Sequence, residues 1–236
     1  MVHSKIISRA YCIKNLLIEE SSERSFNESD KIIAYSYSNW ETMNDLDTLS
    51  VGELFNAYEE CLSIKKTLGE KCKIVSGFES TKQHFLTNAN KYNLIHLAMH
   101  GSGDNKSIKQ NHLYFRGKSE KEITLNSDEI ENLNFNTKLL VLNSCQANSA
   151  RTIVNQGNFS MARSFACTGV SNIVTSNWSI NDGASSQLIT NFYQQLLSGH
   201  EINEALCFAK RSYLSELQNS NLSDPYYWSS HQLYIN

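Results

Sequence analysis

Two short apolar runs constrain this chain most. They are Leu94-Ile95-His96-Leu97-Ala98-Met99, which gives way to His100-Gly101, and Leu139-Leu140-Val141-Leu142, which gives way to Asn143-Ser144-Cys145-Gln146-Ala147. Apolar runs of this length, without regular polar alternation, read as strands covered on both faces, which is the habit of parallel sheets. Open α/β sheets place their ligands outside the carboxyl ends of such strands. Two neighbouring strands of this kind would bring the His100 imidazole and the Cys145 thiol to one crevice. Those two groups suffice for a thiol nucleophile and its proton carrier.

The rest of the chain fits a sheet flanked by helices. A strand is predicted at Lys31–Tyr37 and a short one at Ile74-Val75. Helical spacing of Leu54, Tyr58, Cys61, Leu62 and Leu68 predicts a helix over Val51–Leu68, stopped by Gly69. Ser80-x-x-Gln83 matches a capping box for a helix that buries Phe85, Leu86 and Ala89. That helix leads into the strand predicted to end at His100. A β-hairpin is expected from His112–Phe115 and Glu122–Leu125 around Gly117-Lys118-Ser119, inserted beside the strand ends. Further helices are expected over Ser127–Leu133, Phe159–Cys167 (closed by Gly169), Ala184–Leu197 and Ile202–Leu217, with strands at Val170–Ser176 and Tyr226–Ile235. Strand and helix alternate from residue 70 onward, so the expected fold class is α/β, a mostly parallel sheet between helices with an inserted hairpin. Residues 1–50 are less regular: Ile6–Ile18 has no clean period and Glu19–Asp30 reads as a polar loop.

The 236 residues fit one large α/β domain, and 1–236 is read as such. A net charge of −3, without a long run of one sign, offers no footprint for nucleic acid or an anionic membrane. No apolar stretch approaches the roughly 18 residues of a membrane span, and the residues after Met1 lack a signal-peptide core. The six cysteines, at 12, 61, 72, 145, 167 and 207, form no C-x-x-C pair. This points to reduced thiols in the cytoplasm, with neither a disulfide framework nor a metal site. Only Cys145 stands at a strand end; the other five read as inert packing. No cofactor is expected. His96 reads as a satisfied core histidine on the same side of its strand as His100, and His84, His112, His200 and His231 as surface or hydrogen-bonding groups. Trp178 and Trp228 read as packing for loops near the sheet edge.

Several of these residues, taken in order, resemble the CHAT family, caspase and separase relatives often attached to tetratricopeptide repeats. The likeness runs from about Leu54 to Ile235. It rests on His96-Leu97-Ala98-Met99-His100-Gly101, Asn143-Ser144-Cys145-Gln146-Ala147, Gly169-Val170, Ile173-Val174-Thr175-Ser176-Asn177-Trp178-Ser179-Ile180-Asn181-Asp182, Phe192-Tyr193, Ala205-Leu206 with Ala209, and Asp224-Pro225-Tyr226-Tyr227-Trp228. The resemblance implies a caspase-like fold with a His100/Cys145 dyad for peptide-bond hydrolysis. The two lie 45 residues apart, near the roughly 50 of caspases. It also implies an oxyanion hole from the backbone N–H groups of Gly101 and Cys145. Asp182 stands where related enzymes build a specificity pocket that would favour a basic residue before the scissile bond, and equally where it would cap the following helix. Family members usually carry more sequence ahead of the matched region. The chain thus reads as the carboxyl-terminal part of a larger protein, gated by an upstream repeat module or a partner.

A free thiol of pKa about 8.5 is only roughly three per cent thiolate at pH 7, so a catalytic Cys145 needs help from its site. Hydrolysis would pass through a thioester at Cys145, with His100 protonating the departing amine and then activating water. The expected partner is a protein or peptide substrate. Two other readings stand beside it. One is a catalytically silent caspase-like interaction module. The other is a small-molecule hydrolase, for which the Gly-x-Ser-x-Gly elbow is lacking.

Overall fold

A computed structural model describes residues 9–10, 25–38, 54–102, 111–143, 151–153, 157–159, 161–178, 182–217 and 221–236; at 9–10, 55, 102, 151–153, 157–159 and 182 it describes the backbone alone. The main sheet has seven strands: β1 (Arg9–Ala10), β2 (Ile32–Ser36), β3 (Cys72–Val75), β4 (Leu94–Ala98), β8 (Leu139–Asn143), β11 (Asn172–Ser176) and β12 (His231–Ile235). Their order is β1-β12-β11-β8-β4-β2-β3, and every pairing is parallel except β11 with β12. β2, β4 and β11 are buried at all five positions, polar Ser36, His96, Asn172, Thr175 and Ser176 included, as strands covered on both faces must be.

The sheet's two faces separate by alternate residues. Ile32, Ala34, Leu94, Ala98, Leu139, Val141 and Val174 pack against helices α1 (Phe55–Leu68), α5 (Asp182–Leu197) and α6 (Ile202–Glu216). Ile33, Tyr35, Ile95, Leu97, Leu140, Leu142 and Ile173 pack against α2 (Lys82–Asn88), α3 (Ser127–Glu131) and α4 (Met161–Ala166). Each buried Leu, Ile or Phe contributes about 1.5–3 kcal/mol, so both layers stabilise the sheet. Gly169 turns the chain from α4 toward β11 at φ +97°, where a Cβ would collide with the Phe135 carbonyl oxygen. Only glycine satisfies both conditions.

Several boundaries differ from the sequence expectations. The cap of α2 is Thr81, whose hydroxyl accepts the His84 N–H at 3.1 Å. Ser80 cannot take that role because it is buried and its carbonyl accepts the Arg116 N–H at 2.9 Å. Glu122 and Ile123 fall in a single helical turn, Glu120–Ile123, and the hairpin is made by β6 (His112–Tyr114) and β7 (Thr124–Asn126). It pairs with β5 (His100–Ser102) as a separate three-stranded antiparallel sheet. Phe159 lies in β10 (Gly157–Phe159), paired with β9 (Arg151–Ile153), and α4 begins only at Met161. Tyr226-Tyr227-Trp228 form a helical turn rather than strand: Pro225 presets its first position and the Asp224 carboxylate accepts the Tyr226 N–H at 2.8 Å.

Candidate active site

β4 leaves the main sheet after Ala98. Met99 is buried, and His100 opens β5 opposite Tyr114. His100 is half-buried, and its ring meets that of Tyr37 edge-on, 5.0 Å between centroids at 78°. Tyr37 belongs to the cluster on the Ile33–Tyr35 face, so His100 does not share the side of His96. The parity expected from an unbroken strand fails because the chain changes sheets between the two residues. Behind Tyr37 lies Arg116, only 2% exposed, its guanidinium 4.5 Å from the ring centroid and its Nε–H donated to the Tyr37 carbonyl at 3.0 Å. A cation on a ring face, tied to the same residue's carbonyl, fixes that ring and through it the wall against which His100 rests. Gly101 follows, half-buried, across from Leu113.

β8 runs beside β4, with Ala98 in register with Asn143. His100 and Cys145 therefore each lie two residues beyond a paired position. Cys145 itself lies outside the described residues. Asp182 is the first residue of α5, and its side chain is likewise outside them.

At the β8 end a buried polar chain converges on Glu60 of α1, which is 3% exposed. Asn143 Nδ2 donates to both carboxylate oxygens, at 2.9 and 2.8 Å, and His96 Nε2 lies 2.8 Å from Oε1. Ser185 Oγ donates to Asn143 Oδ1 at 2.8 Å and lies 3.3 Å from His231 Nε2. Tyr193 Oη is 3.2 Å from His96 Nδ1, and Ser230 Oγ is 3.1 Å from His231 Nδ1. His96 pairs through Nδ1 with Tyr193 Oη, while its Nε2 stands at ion-pair distance from Glu60 without making a hydrogen bond. The His231 tautomer follows from its partners. Ser185 spends its one proton on Asn143, so His231 donates from Nε2 and accepts from Ser230. The bonds from Ser230 through His231, Ser185 and Asn143 then all point toward the carboxylate, which receives both Asn143 hydrogen bonds. Burial, reinforced by Lys210 and His96, lowers the His231 pKa to about 3, so this ring is neutral. Burial also lowers Lys210 to about 8, against an opposing effect of Cys207, and its Nζ donates to the His231 carbonyl at 2.6 Å.

His96 is the core histidine expected, but only half satisfied: Nδ1 pairs with Tyr193, and Nε2 makes no hydrogen bond. Glu60, Asn143, Ser185, Tyr37 and Arg116 were not legible as site residues. Glu60 carried a signal nonetheless, since it falls with Ala57, Cys61 and Ile64 at helical spacing on the buried stripe of α1, where a carboxylate needs a reason. Burial, then Glu60 and Cys72, pushes the Cys61 thiol well above its usual range, and burial pushes Cys72 to about 12, Lys65 opposing. Both thiols are inert. Cys167 departs from the packing expectation: it stands just past α4 and is exposed. Trp178 donates to the Tyr226 carbonyl at 2.9 Å and Trp228 to that of Ser223 at 3.1 Å, tying loops as expected.

Among the described residues, no three His, Cys, Asp or Glu side chains converge as a metal site, and no helix is long and apolar enough to cross a membrane. No curated protein matches the sequence. A family model, that of the CHAT domain, matches residues 7–236.

Proposed function

The chain belongs to the CHAT domain family, whose fold is caspase-like, and on that footing we propose that it is a cysteine endopeptidase acting through Cys145 and His100. The observation that supports this most is the register of β4 and β8. Ala98 pairs with Asn143 on adjacent parallel strands, and residues 100 and 145 each follow two positions later in the chain.

In this reading the Cys145 thiolate attacks the scissile carbonyl. The N–H groups of Gly101 and Cys145 hold the oxyanion, each donor lowering the barrier by about 3–4 kcal/mol. His100, steadied on the Tyr37 ring, gives its proton to the departing amine. The acyl group remains on sulfur as a thioester. His100 then takes a proton from water, which attacks the thioester, and the carboxylic acid product leaves as the thiol is restored. Asp182, at the start of α5, supplies a carboxylate for a basic residue before the cut. An upstream repeat module or a bound partner switches the enzyme on, and the cytoplasm is its setting.

The deciding experiment incubates the protein and Cys145→Ala with a proteome-derived peptide library, with and without candidate activating partners. Cleavage present in the parent and lost by at least about a thousandfold in the variant is expected. No Cys145-dependent cleavage under any activation condition transfers the assignment to a caspase-like interaction module. In the same assay Asp182→Asn is expected to abolish a preference for Arg or Lys before the cut. An unchanged preference, or none in the parent, removes Asp182 from the pocket.

A further inference from the structure

We propose that Glu60 is a positioning residue for the thiol at 145: its buried carboxylate fixes Asn143, and through Asn143 the carboxyl end of β8. The inference rests on reading Cys145 as the nucleophile.

A buried carboxylate is a poor choice for stability alone, because apolar residues of similar volume commonly do as well or better. Here it sits in the middle of an apolar helix stripe and faces the last residue of a central strand. Asn143 is held at both ends of its amide, Nδ2 on Glu60 and Oδ1 on Ser185, so the side chain cannot rotate without breaking bonds to α1 and α5 together. Two residues of chain reach at most about 7 Å, so whatever fixes residue 143 narrows the places residue 145 can occupy. The polar groups gathered round it come from four further elements: His96 from β4, at ion-pair distance, Tyr193 and Ser185 from α5, His231 from β12 and Asn143 from β8 itself. Catalytic groups are best held from rigid elements in this manner. The titratable groups facing Glu60 are His96, Cys61 and Tyr193, and burial pushes the last two upward, away from neutral pH.

Charge and positioning make opposite predictions for Glu60→Gln. If Glu60 acted on Cys145 only through its negative charge, removing it would ease thiolate formation and move the pH midpoint of thiol alkylation down. If Glu60 holds the loop, its loss lets the thiol leave its activating surroundings. The midpoint then moves up toward the ordinary 8.5, with a loss of about tenfold or more in rate at pH 7. The test is alkylation of the whole chain by iodoacetamide across the thiol titration range, followed peptide by peptide, with exposed Cys167 as internal reference and thermal unfolding as a check on folding. A slower Cys145 with an upward midpoint, at unchanged Cys167 reactivity, is expected. A downward midpoint, a Cys145 profile within about twofold of the parent, or a parent thiol no faster than Cys167 at any pH overturns the proposal. Should Glu60→Gln not fold, Ser185→Ala cuts the chain beyond Asn143 while leaving the charge, and the same outcomes decide. Alkylation needs no substrate, so failure of the peptidase reading and failure of the Glu60 assignment are separately visible.

Discussion

Behind the sheet face of Ile33, Tyr35, Ile95 and Leu140 the chain packs rings, with Phe85, Phe115, Phe135 and Phe165 at centroid separations of 5.3 to 6.4 Å. Behind the face of His96, Asn143 and His231 it buries a carboxylate with its donors inside an equally apolar shell. The ring face gains from area and shape, and its terms are spread over many weak contacts. The other face concentrates its risk in a few bonds, since removing one partner orphans a buried group. The ring face keeps one buried charge, Arg116 on the Tyr37 ring beside His100, whereas the other face gathers its polar groups into one chain.

The sharpest way to break this contrast is to truncate each face and compare. Phe165→Ala is expected to cost about 3–5 kcal/mol by urea unfolding, the largest single effect, because the cavity lies among rings that cannot collapse into it. A smaller cost would mean that this face repacks.

The second test is acid. His231 is neutral when folded, with its pKa lowered to about 3 from about 6.5, so between those values the unfolded chain binds the extra proton. Stability therefore rises with pH through that window and is lost as pH falls through it, by a few kcal/mol in total at about 1.4 kcal/mol per unit. His231→Gln should flatten that part of the pH–stability curve. A slope equal to the parent's would place the acid sensitivity elsewhere.

Tyr193→Phe is the smallest of the three. It keeps the packing and leaves His96 Nδ1 without its hydrogen-bond partner, for an expected loss of about 1–3 kcal/mol in thermal or urea unfolding. A loss below about 0.5 kcal/mol would show that the polar chain tolerates a missing link, and the contrast between the faces would weaken.

The α/β class, the central strands and the long helices could be read because unbroken apolar runs and helical spacing report burial directly. The short elements resisted for a physical reason. Tyr226-Tyr227-Trp228 has the composition of a strand, but Pro225 and the Asp224 cap decide the local backbone. The change of sheet at Met99 left no mark either: the text runs apolar through it, and only tertiary pairing with β6 takes His100 out of β4. Of the site, His100 and Gly101 were readable as a strand ending. Arg116 was not, because a lone arginine past a strand looks like surface until its guanidinium is found against Tyr37. Asn143 stood two residues from the proposed nucleophile, yet its role depends on Glu60, 83 residues earlier in the chain.

Among the described residues β1 pairs with β12 alone, Arg9 beside Tyr234 and Ala10 beside Ile235, and β12 also carries His231 into the polar chain. During synthesis the early strand therefore has no partner until more than two hundred further residues have been made. The polar chain waits for the same event, so Ser185 lacks its contact with His231 while the nascent chain is still emerging. Long-range pairings of this kind are formed late. Residue 100 thus meets Tyr37 and Tyr114 early in synthesis, whereas the polar chain that begins at Glu60 closes only when residues 231–235 arrive.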